Sequence, residues 1–313
     1  MGVSLRTAIG AVILRNPVML ASGCCGYGLD MMPWLDLERI GGVCLKGLSM
    51  SGSDGNAPPR IWETAGGMIN AIGLQNVGIP AFRRDKVPRL AKIDTALAAN
   101  FYGHSVEEYA AAAGALDEEP VLDALEMNIS CPNISEGGIA FGTDPHSVYR
   151  VTRAAREATR KPLWVKLSPN VADITETARA AEAAGADALS CINTLPAMAI
   201  DVEARTYRIS NRVGGLSGPA LKPIAVRMVH QVARCVKIPV VGIGGIETAE
   251  DALEHILAGA TAVQVGTALF RDPECPVRIV EGLIEYCERH GIEDVAELIG
   301  AVADGEAPPR CPE

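Results

Sequence analysis

The chain is expected to fold as one α/β domain, a (β/α)8 barrel, and three features of the sequence carry that expectation. Short apolar runs recur eight times and alternate with longer amphipathic stretches. The runs are apolar throughout instead of at every second position, which suits parallel strands covered by helices. No composition break or Pro/Ser-rich linker divides the 313 residues, so 1–313 reads as a single domain, a length that barrels commonly reach.

Along the chain, residues 3–16 alternate weakly and read as a hairpin capping the barrel bottom. The apolar runs place strands one to four at 18–22, 42–46, 97–100 and 125–130. Strands five to eight follow at 163–168, 188–194, 240–245 and 262–267. Helical periodicity fills 173–184, 223–236 and 248–258 between the later strands. Gly185 and Gly259 stand just past two of these helices, where a left-handed residue ends a helix. Thr248, followed by Glu250 and Asp251, reads as an N-cap with acids in the first turn. Two connections, 47–96 after strand two and 195–221 after strand six, are too long for plain loops. Insertions of that kind on a barrel's βα loops usually carry its active site.

Composition narrows the function. With 48% hydrophobic and 21% charged residues, the chain is neither disordered, collagenous nor a coiled coil. Its 28 Lys+Arg against 38 Asp+Glu give −10, and no stretch is strongly basic, which argues against nucleic-acid binding. No apolar run approaches the ~18 residues of a membrane span. The first twenty residues hold too short and interrupted an apolar stretch for a secretory signal, so a soluble cytoplasmic protein is expected. The nine cysteines (24, 25, 44, 131, 191, 235, 275, 287 and 311) form no CxxC pair. That spacing suits neither disulfides nor a zinc or iron–sulfur cage, so no metal is expected and most cysteines read as core fillers.

The predicted strand ends are chemically unusual. Strand two ends in Lys46 and strand five in Lys166, and a lysine closing a buried strand needs an anion or an acid beside it. A structural ion pair is one solution and a bound anion the other; two such lysines on an acidic protein favour the anion. Gly244-Gly245 and Gly266-Thr267 close strands seven and eight, where bare backbone N–H groups cradle phosphate in many barrels. Asn70, Asn128, Asn133 and Asn193 fall on strand ends or βα loops, and a carboxamide matches a ring that alternates N–H and C=O. Cys131 follows a strand, precedes Pro132 and opens a polar Gly-rich loop. A free thiol has pKa about 8.5 and can serve as a base. His104, His146, His230, His255 and His290 all fall in helical or pre-helical positions, so no Cys–His pair is expected. No GxGxxG fingerprint for a dinucleotide is present.

With these residues in place, the chain resembles the class 1 dihydroorotate dehydrogenases, in particular the catalytic subunit of the NAD-linked B subtype. The matching stretches are NPVMLASGC at 16–24, NAIGLQN at 70–76, EMNISCPNISEGGIAFGTDP at 126–145 and WVKLSPNV at 164–171. INTL at 192–195, GGLSGPALKP at 214–223 and the run 243–270 extend the match over nearly the whole chain. The resemblance implies oxidation of dihydroorotate to orotate on one FMN per chain. By motif, Ser22, Lys46, Gly47, Asn100, Asn128, Lys166, Ile192, Gly218, Gly244, Gly245, Gly266 and Thr267 would contact FMN. Lys46, Asn70, Ala71, Ile72, Gly73, Leu74, Asn128, Asn133, Asn193 and Thr194 would hold the substrate, and Cys131 would take the C5 proton. It further implies a partner subunit carrying FAD and a 2Fe–2S cluster, in a heterotetramer of two catalytic and two electron-transfer subunits, that passes electrons to NAD⁺. Phe101-Tyr102 after Asn100, and Ala197 after INTL, depart from residues the family favours. A dihydropyrimidine dehydrogenase-like subunit acting on uracil or thymine would carry His where Asn133 stands. A flavin-free barrel lyase or isomerase would purify colourless. A catalytically silent scaffold barrel would have no need of Cys131 or the two lysines.

Overall fold

The computed structural model describes residues 2–130, 135–136 and 139–303. Eight parallel strands close into a barrel in chain order. They are β1 (Val18–Leu20), β2 (Gly42–Leu48), β3 (Ala96–Phe101), β4 (Ala124–Asn128), β5 (Leu163–Lys166), β6 (Ala188–Cys191), β7 (Val240–Ile243) and β8 (Ala262–Val265). Most stop a few residues short of the predicted ends, because the polar residues there turn out of the ladder to face the mouth. β2 and β3 are exceptions, β2 running on to Leu48 through a register irregularity after Leu45 and β3 to Phe101.

Helices α1 (Ile79–Asp85) and α2 (Val87–Leu90) lead to β3, and α3 (Val106–Asp117) to β4. Then α4 (Pro145–Ala158), α5 (Ile174–Ala183), α6 (Lys222–Ala233), α7 (Ala249–Leu257) and α8 (Cys275–His290) follow one strand each. The expected strand–helix alternation fails at the first unit: β1 connects to β2 through turns and a single 3-10 turn at Leu37–Arg39. Pro33 and the left-handed glycines 23, 26 and 28 explain why this stretch does not coil into an α-helix. The predicted cap of α7 is present as a capping box, with Thr248 Oγ1 accepting from Asp251 N and the Asp251 carboxylate from Thr248 N.

Strand residues alternate between two apolar layers. Met19, Cys44, Ala98, Ala124, Trp164, Ala188, Val241 and Ala262 point into the barrel and pack with Ile9, Val12 and Leu14. Those last three belong to the predicted hairpin, seen as Thr7–Ile9 paired antiparallel with Val12–Leu14, which plugs the bottom. The other strand positions, among them Val43, Leu97, Leu125, Val165, Leu189 and Val263, face the helices. A dry floor therefore closes one end and leaves the strand C-termini as the open end.

The two long insertions are not separate loops. Ile61–Thr64 and Gly67–Asn70 from the first, with Leu195–Ala197 and Gly214–Ser217 from the second, form one four-stranded antiparallel sheet. The register sets Gly215 against Asn70 and Ser217 against Met68. At the crossing a Cβ on Gly218 would lie 2.7 Å from Gly67 Cα, so no side chain fits there without moving a backbone.

Candidate functional site

One layer above the dry floor, the inward positions become polar, and their hub is Glu126. This residue lies in β4 two positions before Asn128 and is 0% exposed. Its Oε1 accepts from Asn100 Nδ2 at 2.8 Å and from Cys44 Sγ at 3.1 Å. Its Oε2 accepts from Ser190 Oγ at 2.7 Å and Gln264 Nε2 at 2.8 Å. Lys166, 6% exposed, holds its Nζ 3.8 Å from Oε1 and donates to Ser22 Oγ at 3.5 Å. Burial works to push the Glu126 carboxyl up. The charge of Lys166 and the hydrogen bonds from Ser190, Gln264 and Cys44 outweigh it and leave the carboxyl below its ordinary value.

Neutral donors thus occupy the carboxylate, while its charge balances Lys166. An ammonium has three hydrogens to donate, and two long contacts leave that capacity for a ligand above. The two lysines resolve differently. Lys166 has its acid inside the barrel, whereas half-buried Lys46 in β2 has no acid partner among the described residues. Burial lowers the Lys46 pKa against the opposing pull of Cys24 and Cys25. An anion arriving at the mouth would relieve that cost. Gly47 follows, where a Cβ would sit 2.8 Å from Asn100 Oδ1.

Of the four predicted carboxamides, Asn128 and Asn193 meet directly. Asn193 Nδ2 donates to Asn128 Oδ1 at 3.1 Å, and Asn193 Oδ1 accepts from Thr194 N at 2.8 Å. Asn70 Nδ2 reaches Gly215 O at 3.4 Å, tying the first insertion to the second. Residues 71–74 run past Asn56, which donates from its side chain to Ala71 O at 2.9 Å and from its backbone to Ile72 O at 3.0 Å. Gly73 and Leu74 are both left-handed, with φ of 75° and 56°. Ile192 is buried and donates its N–H to Ile243 O at 3.1 Å, between β6 and β7.

Gly244 and Gly245 lie at the end of β7 with φ of 132° and 71°. Here α6 gives glycine a reason of its own: a Cβ on Gly245 would come within 2.8 Å of Lys222 N, and one on Gly244 within 2.9 Å of Ala225 Cβ. Lys222 is not a free cation for this loop, because Asp251 and Glu254 hold its ammonium at 2.7 and 2.5 Å. Any anion bound here is held by backbone. Gly266 and Thr267 lie alongside after β8, with Thr267 Oγ1 donating to Ser217 Oγ at 2.8 Å. A Cβ on Gly266 would make ordinary contacts with Ala21 Cβ and Cys24 Sγ at 3.4 Å, so a side chain there would not clash.

One histidine, helical as predicted, nonetheless reaches a strand end. His255 is on α7 but turns inward, fully buried, and its Nε2 lies 3.1 Å from Gly244 O. Burial pushes its pKa down to about 4, so the ring is neutral at pH 7, donates to that carbonyl and shapes the glycine loop. Besides His255, the sequence reading passed over Glu126 and Gln264, and it noted Tyr102 without giving it a role. Glu126 had a signal available: a carboxylate inside an apolar strand, two residues from Asn128 on the same face, with Lys166 on the neighbouring strand.

Cys131 and Asn133 lie outside the described residues. The seven described cysteines all have thiols pushed up by burial, Cys24 to about 11 and Cys275 to about 12. They fit the core-filler reading. A groove of about 530 Å³ opens at the opposite end of the barrel. Its Arg6 and Arg15 are offset by Asp94 and Asp123, and Arg15 is already engaged with Asp94.

Fold and mouth define a closed α/β barrel with a polar, cationic open end for small anionic ligands. A family model described as dihydroorotate dehydrogenase matches residues 4–287. The chain is 57% identical over 298 residues to the Dihydroorotate dehydrogenase B (NAD(+)), catalytic subunit of Geotalea uraniireducens, covering 95% of this chain and 98% of that one. It is 58% identical over 299 residues to the protein of the same name from Trichlorobacter lovleyi, covering 96% and 98%. In fold it matches the crystal structure of DHODH in complex with ferulenol from Eimeria tenella, with TM-score 0.78 at 23% identity, covering 95% of this chain and 88% of that one. The chain belongs to the dihydroorotate dehydrogenase family. Among the described residues, no helix is long and apolar enough to cross a membrane.

Proposed function

We propose that this chain is the catalytic subunit of an NAD-linked dihydroorotate dehydrogenase, oxidising dihydroorotate to orotate in pyrimidine biosynthesis, in the cytoplasm. Family membership supports the reaction. The observation in this chain that carries the reading is Lys166, a buried ammonium balanced by Glu126 with hydrogens to spare, in a mouth shared with Lys46, which has no acid partner among the described residues. FMN fits these residues. Lys166, Asn100 and Ser22 offer charge and polar groups to a ring edge, and the loops at Gly244-Gly245 and Gly266-Thr267 offer backbone N–H groups without side chains over them for one phosphate. Gly47, Asn128, Ile192 and Gly218 complete the proposed cofactor contacts. Bound there, FMN would supply the acceptor for the hydride leaving C6.

The chain's own residues do the rest. Lys46 neutralises the substrate anion, and residues 70–74, Asn128, Asn133, Asn193 and Thr194 match the ring's alternating donors and acceptors. Cys131 removes the proton from C5. Lys166 provides fixed positive charge where negative charge accumulates, with no solvent rearrangement needed. A partner subunit holding FAD and a 2Fe–2S cluster, in a two-plus-two assembly, would supply the route for the electrons to NAD⁺.

Two expected outcomes test this. Denaturing the purified chain should release FMN, one per chain, and finding FAD or no flavin would refute the cofactor assignment. With dihydroorotate, the FMN-loaded chain alone should reduce an artificial dye but not NAD⁺. Brisk NAD⁺ reduction by the homogeneous chain would remove the need for a partner, and no turnover with any acceptor would overturn the function.

A further inference from the structure

The hydroxyl of Tyr102 is at the centre of a buried network. Tyr102 N donates to Leu48 O at 3.0 Å, continuing the β2–β3 ladder and fixing the ring on the strand end. The side chain is 2% exposed. Its Oη donates to Leu74 O at 3.2 Å and accepts from Asn76 Nδ2 at 2.9 Å. Asn76 Nδ2 also reaches Leu74 O at 2.9 Å and Ser49 Oγ at 3.0 Å, while Asn76 Oδ1 accepts from Gly78 N at 2.8 Å. Two donors from different segments therefore converge on one carbonyl, that of Leu74.

Leu74 is a non-glycine residue held left-handed at φ 56°, directly after left-handed Gly73. A side chain in that region costs free energy and persists only where the surroundings over-determine it. Asn76, two residues on, ties the loop to Ser49 just after β2, accepting from Ser49 N at 3.3 Å. Tyr102, anchored on the end of β3, is the tie to Leu74 O that comes from outside the insertion. The ring also packs beside Gly47, with Cδ1 3.9 Å from where a Cβ would be.

We propose that Tyr102 is a positioning residue for substrate recognition: its hydroxyl locks the 70–74 loop into one conformation, so that Asn70 and the loop backbone form a rigid receptor for a small planar ring anion. This rests on the proposed function, which places the substrate against that loop. Loss of the hydroxyl leaves the barrel intact and lets the loop sample other conformations, so binding weakens while the chemistry of bound substrate is unchanged.

Tyr102→Phe in the FMN-loaded chain tests it, since the variant removes one oxygen and keeps the ring. The KM for dihydroorotate and the Kd for orotate should rise three- to tenfold, the loss expected for one hydrogen bond. Turnover at saturation should stay within twofold, with unchanged FMN content. Ser49→Ala removes a hydroxyl that meets Tyr102 Oη at 3.1 Å and Asn76 Nδ2 at 3.0 Å but does not touch Leu74 O, so its KM rise should be smaller than that of Tyr102→Phe. A lowered melting temperature with unchanged KM would mean a purely structural tyrosine and overturn the proposal. So would loss of FMN from Tyr102→Phe, or an equal KM rise in Ser49→Ala. A wild-type chain that does not oxidise dihydroorotate would instead sink the proposed function.

Discussion

Glu126→Ala is expected to destabilise the barrel by about 3–5 kcal/mol, the usual loss when one partner of a buried ion pair is removed. The variant strands the Lys166 ammonium at 6% exposure with no acid beside it. It also orphans the donors of Asn100, Ser190 and Gln264, each of which then bears its own desolvation cost. Glu126→Gln should lose less, because an amide oxygen can still accept some of these bonds. Denaturant unfolding of the three proteins measures the order wild type, Gln, Ala. The pH dependence gives a second handle. The folded carboxyl lies below its ordinary 4.5, so its contribution is full above that value and is lost as pH falls through the folded one. Glu126→Gln should flatten that part of the acid limb. If Ala and wild type unfold at the same denaturant concentration, Glu126 does not hold the site together.

Cys131→Ser carries the largest expected effect on rate. If Cys131 removes the C5 proton, reduction of the bound flavin by dihydroorotate should slow by about 10²–10⁴-fold, roughly 3–5 kcal/mol of barrier. Orotate binding should be nearly unaffected. Only the thiolate can accept the proton, so the wild-type rate should rise with pH along one ionisation, displaced upward in the serine variant because a hydroxyl is far harder to ionise. The other thiols do not blur this reading. Burial pushes Cys24 to about 11 and Cys25, Cys44 and Cys191 up as well, so none of these ionises near neutral pH. Stopped-flow reduction normalised to bound FMN separates a base from a packing residue. A near-normal rate in Cys131→Ser at neutral pH would move the base elsewhere.

The strands were legible because each is an apolar run bounded by a residue that cannot stay in a dry ladder, such as Lys166 or Asn128. The bottom hairpin and the capping box of α7 were legible for similarly local reasons. The four-stranded sheet was not: its segments are separated by more than a hundred residues, and nothing local in Gly67–Asn70 announces that Gly214–Ser217 will pair with it. The missing first helix shows glycine and proline overriding the expected alternation. At the site, the rim residues were readable from strand ends, but the layer beneath was not. Glu126 sits mid-strand, where an apolar count absorbs one charged residue as noise, and its pairing with Lys166 is a diagonal contact from β4 to β5 that exists only in the folded barrel. Tyr102 showed in the sequence as a departure without a reason, because the Leu74 carbonyl reaches it only through the folded insertion.

The most direct measurement is an anaerobic single turnover, in which the FMN-loaded chain, with no partner and no acceptor, is mixed with one equivalent of dihydroorotate. The account predicts bleaching of the flavin absorbance and orotate formed in equal amount, one per chain. An unbleached flavin, or bleaching without orotate, would contradict it.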